Sequence, residues 1–226
     1  MIRKIYLLLY KKFNSQGWWP FTLENELHPR HHGISPRNDR ERFEIIIGAI
    51  LTQNTNWKNV EKAIYNLNKE SLADIKKIKK ISHKKLASLI RPSGYYNQKA
   101  ERLRIMAEFL SRNPINRLMK VGIEKLREKL LKVKGIGPET ADSILLYAFN
   151  KPIFVVDAYT KRIFQRIGYK EKSYEELQEL FMSNLEKDTK LFNEYHALLV
   201  ELGKNYCRKK PDCKECPLAK LCGKYN

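Results

Sequence analysis

This sequence of 226 residues has few of the features that mark secreted, membrane or β-rich proteins. The apolar run near its N-terminus spans six residues, too short for a membrane span or for the core of a secretion signal. Alternation of apolar and polar residues is nearly absent, and residues 153–156 are the best strand candidate. Cysteine occurs at only 4 positions, all near the C-terminus, which favours a reducing cytoplasm.

Acidic side chains are also scarce, because 25 aspartates and glutamates face 44 lysines and arginines. The resulting formal charge of +19 favours a polyanionic partner such as a nucleic acid. Charge alone is equally compatible with a lysine-rich composition that serves no ligand.

Helical periodicity dominates the chain. Phe43, Ile46, Ile47, Ile50 and Leu51 follow the i, i+3, i+4, i+7, i+8 spacing of one helix face, and similar patterns recur downstream. We expect an all-α protein of about ten helices. Residues 1–33 look irregular or only briefly helical.

The cysteines form one group, Cys207, Cys213, Cys216 and Cys222, spaced C-x5-C-x2-C-x5-C. This differs from the paired C-x2-C spacing of a zinc ribbon, and it suits a metal or an iron–sulfur cluster. Two disulfides are the alternative.

A turn, Gly135-Ile136-Gly137, separates two helical patterns, one ending at Lys132 and one beginning at Pro138. Both glycines permit positive φ, and the turn amides with the next helix N-terminus could bind a DNA phosphate. The alternative is an ordinary corner between helices.

Asp157 follows four apolar residues and precedes a basic helix. An N-cap role would explain this aspartate. A carboxylate could also stabilise the oxocarbenium-like sugar that forms when an N-glycosidic bond breaks, and the two roles are compatible.

Together these motifs resemble the endonuclease III (helix-hairpin-helix–GPD) superfamily of DNA glycosylases, across nearly the whole chain. The match includes LTQNT at residues 51–55, SGYYNQKAERL at 93–103, the hairpin, VVDAYTKRI at 155–163 and the cysteines. It implies two helical domains that flank a DNA-binding cleft, residues 34–151 and residues 1–33 plus 152–226. Asp157 would lie in the second domain, and the cysteines would hold a structural [4Fe–4S] cluster that orders a basic loop.

The resemblance also implies DNA contacts. Gln53 would fill the hole left by a flipped nucleotide, and the other expected contact residues are Asn54, Lys134, Gly135, Ile136, Gly137 and Thr140. Bifunctional members carry a lysine two residues after the second glycine, whose amine forms a Schiff base. Here that position is Glu139, which cannot form the imine, so we expect base removal by water.

A closer resemblance is to the bacterial 3-methyladenine DNA glycosylase III type, through WWP at residues 18–20, GAILTQNT followed by Trp57, and GIGPETADSILLYA. It implies a base pocket built from Trp18, Trp19, Pro20 and Trp57, with Lys204 beside it. Aromatic faces attract cations, which suits positively charged alkylated purines. The alternative is that Trp18 and Trp19 anchor the core.

We therefore expect a monofunctional base-excision-repair glycosylase that flips and excises alkylated purines such as 3-methyladenine. Asp157 is expected to carry catalysis, and Glu139, beside the hairpin, is the second residue assigned to the catalytic site. The expected partner of the protein is double-stranded DNA that contains a damaged base. We expect the protein to be a monomer in the cytoplasm, associated with the nucleoid, and not to bind membranes. The alternatives are an endonuclease III-like enzyme for oxidised pyrimidines, favoured by the cysteines, and a non-catalytic DNA-binding protein.

Overall fold

The computed structural model describes residues 1–169 and 172–223, and helices account for its regular structure. In these residues the only strand-like pairing is an isolated bridge between Phe21 and Arg30, so the all-α prediction is confirmed. The helices are α1 (Ile2–Phe13), α2 (Asp39–Leu51), α3 (Trp57–Lys69), α4 (Ile75–Lys80), α5 (His83–Leu89), α6 (Tyr96–Arg112), α7 (Ile115–Leu118), α8 (Ile123–Leu131), α9 (Pro138–Ser143), α10 (Ala158–Arg166), α11 (Tyr174–Asn184) and α12 (Thr189–Asn205). Short 3₁₀ turns occupy Arg91–Ser93 and Ala219–Leu221, and a π-helical turn, Ile144–Ala148, continues α9.

Contacts between Cα atoms divide the chain into two compact units. The central unit is Trp19–Lys151, and the terminal unit combines Met1–Trp18 with Pro152–Asn226. Residues 19–33, expected from the sequence to join the terminal segments, pack in the central unit. Their anchor is the buried carboxylate of Glu44, which accepts hydrogen bonds from the Thr22 amide (2.7 Å) and the Asn68 side chain (3.2 Å).

The helices begin where the sequence supplies capping side chains. Asp157 caps α10 by accepting the Thr160 amide, and Ser173 and Glu176 form a reciprocal capping box at α11. Other helices start in the same way at Asn38, Asn56, Asp74, Ser82 and Asp188. These caps satisfy amides that would otherwise face water or the core without a partner.

The core of the central unit surrounds α2, whose residues 43–51 are all buried. The π-helical turn that follows α9 packs on α2 and is itself buried throughout. Apart from Glu44, the residues of this stretch are glycine or apolar side chains on every face of α2, as expected for a helix enclosed by its neighbours.

In the terminal unit, α12 packs against both α1 and α10. Residues 1–33, expected to be irregular or only briefly helical, contain α1, a helix of 12 residues that buries Ile2, Ile5 and Leu9 on one face. The apolar residues 153–156 are buried but pair with no strand in the described part of the chain. Phe154 instead stacks on Phe181 with ring centroids 3.7 Å apart, so core packing explains this apolar run.

Among the described residues, no helix combines the length and the apolar character needed to cross a bilayer.

Candidate functional site

The predicted hairpin turn lies in the central unit between α8 and α9, and Pro138 is the first residue of α9. Gly135 has φ +86°, and a Cβ atom there would lie 2.7 Å from the side chain of Arg102. Gly137 has φ −95°, and no atom would crowd a Cβ at that position, so only the first of the two glycines adopts the positive φ that both permit.

A buried ion pair joins the two helices of the hairpin. Arg127 of α8 donates two hydrogen bonds to Asp142 of α9, at 2.7 and 3.1 Å. The Asp142 side chain has no exposed surface, and this paired geometry is the kind that fixes one helix relative to another.

Gln53 contacts the hairpin directly. Its side-chain amide donates to the Gly135 carbonyl (3.1 Å) and the Thr140 hydroxyl (2.9 Å), and its oxygen accepts from Arg102. Asn54 follows in a left-handed conformation, φ +55°, and is exposed. The central unit thus brings together Gln53, Gly135 and Thr140, which are far apart in sequence.

The other hairpin residues differ in exposure. Lys134 is exposed and pairs with Glu101 at 2.8 Å, which lowers the pKa of that carboxyl through the hydrogen bond and the lysine charge. Ile136 is buried, and it anchors the turn in the core. Glu139 is exposed, and its carbonyl accepts a hydrogen bond of 2.7 Å from the Ser143 hydroxyl.

A buried lysine supports the segment that carries Gln53. The Lys99 side chain is 1% exposed, and its amine donates to the carbonyls of Leu51 (2.9 Å) and Ser93 (2.7 Å). Burial, and secondarily the positive charge of Arg102, lower the pKa of Lys99 to about 8. Lys99 was not expected to have a role, because nothing in its surrounding sequence marks it as buried.

The central unit also holds an aromatic cluster. Trp19 is 7% exposed, meets Trp57 edge-on at 5.5 Å and packs on Tyr147 at 4.9 Å. A Cβ atom at Gly48 would lie 3.1 Å from the Trp19 ring nitrogen, so the glycine leaves room for the indole. Pro20 is buried as well, whereas Trp57 is partly exposed. Burial gives Trp19 the role of a core anchor.

Asp157 lies in the terminal unit at the N-terminus of α10. Its side chain is 13% exposed; one carboxylate oxygen accepts the Thr160 amide at 2.7 Å, and the other lies 3.7 Å from Nε2 of His196. Burial acts to raise the pKa of Asp157, but His196 and Thr160 outweigh it and the pKa is lowered. The carboxylate is therefore ionised at neutral pH.

Trp18 and Lys204 complete this neighbourhood. The Trp18 ring meets His196 edge-on at 5.8 Å, and the Lys204 amine lies 5.6 Å over the Trp18 ring. Burial lowers the pKa of Lys204, against the opposing effect of Glu201 and Asp157. Sequence reasoning missed His196, since it lies 39 positions from Asp157 and no motif marks it.

All four cysteines are free and line a single small cavity in the terminal unit. Arg162 and Arg166 of α10 bind this segment: Arg162 donates to the Cys207 carbonyl (2.7 Å), and Arg166 approaches the Cys207 sulfur (3.1 Å). In the residues described, no three Cys, His, Asp or Glu side chains converge as ligands of one metal ion.

Known proteins share these features. Residues 47–187, more than half of the chain, match the model of the HhH-GPD superfamily of base excision DNA repair proteins. The chain belongs to this superfamily. The matched span includes the hairpin and Asp157.

Several HhH-GPD relatives match nearly end to end. The Methanocaldococcus jannaschii protein MJ1434, whose name proposes DNA repair glycosylase activity, is 45% identical over 98% of this chain and 96% of its own. Endonuclease III of Thermotoga maritima is 34% identical over 84% of this chain and 87% of its own. The family and these relatives indicate a DNA glycosylase.

Solved structures agree in fold. The 3-methyladenine DNA glycosylase MagIII of H. pylori, bound to 1,N6-ethenoadenine, superposes with a TM-score of 0.69 and 31% identity, over 90% of this chain and 96% of that one. An endonuclease III–DNA complex gives a TM-score of 0.77 at 24% identity, over 99% and 94%, which establishes the fold alone.

Proposed function

We propose that this HhH-GPD protein is a monofunctional DNA glycosylase that hydrolyses the N-glycosidic bond of alkylated purines, with Asp157 as its catalytic carboxylate. The observation that carries the proposal is the setting of this nearly buried carboxylate, whose oxygens face the Thr160 amide at 2.7 Å and Nε2 of His196 at 3.7 Å. These two groups lower the pKa of Asp157 against the opposing effect of burial, which favours the ionised carboxylate. A fixed negative charge in such surroundings stabilises a developing oxocarbenium ion more strongly than one in water. A residue that serves only as an N-cap does not need to be buried, since most other capping hydrogen bonds among the described helices are exposed.

Water is the proposed nucleophile because Glu139 occupies the position after the hairpin where bifunctional members carry lysine. A carboxylate cannot form a Schiff base with the sugar. Lys99 is buried and donates to two carbonyls, so its amine is engaged. Lys204, with its lowered pKa, is the amine that a test for covalent trapping must examine.

DNA binding is assigned to the hairpin and to Gln53. The turn at Gly135 and the exposed Lys134 would hold a phosphate without reading sequence. Gln53 has both donor and acceptor atoms and would pair with the base left behind by the flipped nucleotide. To do so, it must exchange its hydrogen bonds to Gly135 and Thr140 for bonds to DNA.

Alkylated purines are the proposed substrates because of the aromatic side chains and the likeness to MagIII, which was solved with a modified adenine. Trp18 and the partly exposed Trp57 are the proposed stacking surfaces, and Trp19 and Pro20 are the other proposed pocket residues of the WWP segment. A cationic base has less need of a strong general acid, because it is already a good leaving group.

The cysteines fit a [4Fe–4S] cluster by their chemistry and placement. Four free thiols that line one small cavity could each supply a thiolate ligand to such a cluster. When bound, the cluster would order the loop that carries Lys209, Lys210 and Lys214. Arg162 and Arg166 would hold that loop on α10.

The second candidate is an endonuclease III-like enzyme for oxidised pyrimidines. The four cysteines and the 34% identity with endonuclease III of Thermotoga maritima favour it.

The monomeric state of the protein and a DNA-binding cleft between its two domains also stay predictions.

The test is a panel of duplexes that contain alkylated purines, oxidised pyrimidines or undamaged bases, scored for free base and for strand breaks before and after alkali. We expect free alkylated purine, with breaks only after alkali. Breaks without alkali, or a covalent complex trapped by borohydride, would contradict the monofunctional proposal. Release of oxidised pyrimidines alone would favour the second candidate, and binding without any excision would favour a non-catalytic protein.

Asp157→Asn tests the catalytic assignment, because asparagine still caps a helix but lacks the charge. We expect at least about a 100-fold loss of excision with DNA binding retained. Asp188→Asn is the matched control, since Asp188 caps α12 in the same way. Full activity in Asp157→Asn would contradict the assignment of Asp157 as the catalytic carboxylate.

A further inference from the structure

His196 is a second ionisable side chain beside Asp157. It lies in the middle of α12, is 4% exposed as a residue, and its Nε2 atom lies 3.7 Å from the carboxylate oxygen that the Thr160 amide leaves available. One oxygen of the Asp157 carboxylate thus accepts a backbone amide, and the other faces the imidazole nitrogen at ion-pair distance.

We infer that His196 is a positioning residue for the glycosylase reaction, which holds the Asp157 carboxylate in its ionised form and in a fixed orientation toward the reacting sugar. The inference rests on the proposed function, because it takes Asp157 as the catalytic carboxylate. His196 itself is not assigned contact with the substrate.

The surroundings of His196 restrict its ring. Trp18 meets the imidazole edge-on, with ring centroids 5.8 Å apart and planes at 83°. The Trp18 carbonyl in turn accepts a hydrogen bond of 2.8 Å from Asn193, one turn earlier on α12. The imidazole is therefore placed from two directions, by its own helix and by an indole that the same helix anchors.

The electrostatic need for such a partner follows from burial. Taking a carboxylate out of water favours its neutral form, and a neutral acid could not stabilise a positive sugar. Burial is the largest single influence on the pKa of Asp157, yet His196 and Thr160 together outweigh it and lower this pKa. Removing the imidazole leaves the amide as the main compensation for burial.

Other titratable groups near this pair must be considered in a pH experiment. Lys204 of α12 interacts with Asp157, which raises the lysine pKa against the larger lowering by burial. From α1, which also packs on α12, Tyr6 contacts Tyr195 beside His196, and burial raises its pKa above 10.0. Tyr6 is therefore neutral throughout the acid pH range. Lys204 can carry a positive charge that affects the titration of Asp157, so the experiment includes a separate Lys204 variant.

The experiment compares the wild type, His196→Ala and His196→Gln. Single-turnover base excision is measured from pH 3 to 8 on the best substrate of the lesion panel, and the Asp157 carboxyl is titrated by ¹³C NMR from pH 2 to 8 in the absence of DNA. We expect the Asp157 titration and the acid limb of the rate profile to move up by about one pH unit in His196→Ala. The glutamine amide can donate to the carboxylate, so His196→Gln should recover part of the shift.

His28→Gln is the matched control, since His28 is exposed in the central unit and stacks on Tyr65. It should leave both readouts unchanged, and Lys204→Gln reports how much of any shift the lysine causes.

Equal loss of activity at every pH in both His196 variants, with an unmoved Asp157 titration, would overturn the inference and leave His196 a packing residue. If Asp157→Asn keeps full activity, the proposed function fails instead. If no lesion of the panel is excised, the NMR titration decides the inference alone.

Discussion

Replacing Lys99 with methionine should change how the stability of the protein depends on pH. The folded pKa of about 8 lies below the unfolded value near 10.5, so the unfolded chain binds more protons between these values. Stability from this group therefore rises as the pH increases through that window. At pH 7 the lowered pKa of Lys99 reduces the free energy of unfolding by nearly its full amount. This amount is about 3 kcal/mol, since each pKa unit corresponds to about 1.4 kcal/mol.

By pH 9 the cost of Lys99 should fall to about 2 kcal/mol, since the folded amine is then mostly neutral. The difference in the free energy of unfolding between wild type and Lys99→Met should thus shift by about 1 kcal/mol in favour of the wild type between pH 7 and pH 9. The absolute effect at pH 7 is smaller, because the variant loses the charge cost but leaves the carbonyls of Leu51 and Ser93 without their donor.

The assay is urea unfolding at pH 7 and pH 9, followed by tryptophan fluorescence, for which Trp19 is a buried probe in the same unit. Lys80→Met is the matched control, because Lys80 is exposed at the end of α4. It should leave the pH dependence of the wild type unchanged. Parallel pH profiles for wild type and Lys99→Met would refute the reasoning.

Three further predictions concern the hairpin and the cysteines. Arg127→Ala should lower the free energy of unfolding in urea by about 3 kcal/mol, because it leaves the buried Asp142 carboxylate without its cation. Arg112→Ala, which removes an exposed ion pair, should change this free energy little. Equal effects of the two substitutions would contradict the prediction. Gly135→Ala should weaken binding to duplex DNA about tenfold by fluorescence anisotropy, through strain at positive φ, while Gly137→Ala should not; similar affinities would refute the distinction. Protein purified anaerobically should contain about four iron atoms per chain and lose them in Cys216→Ser, whereas stoichiometric zinc would exclude the cluster.

Local chemistry explains which features the sequence could predict. The start of α9 at Pro138 and the positive φ of Gly135 depend on the residue types themselves. The all-α class follows from periodic apolar residues, which report burial within one helix. The cysteines could be grouped because they are close in sequence.

The remaining features depend on contacts between distant segments. His196 and Asp157 meet only because α12 packs against α10, and Lys99 is buried only because its amine reaches carbonyls at residues 51 and 93. The sequence could not distinguish the two indoles either. Trp19 packs among central-unit aromatics, whereas Trp18 contacts His196 in the terminal unit.

Asp157 caps the N-terminus of helix α10, and Arg162 and Arg166, which hold the cysteine loop, lie further along the same helix. Adding or deleting one residue inside it would turn these ends by about 100° relative to one another. Evolution can exchange the side chains of this segment but cannot change its length without separating the carboxylate from the loop. Among natural variants, we expect insertions and deletions to avoid residues 158–166, even while its exposed positions vary.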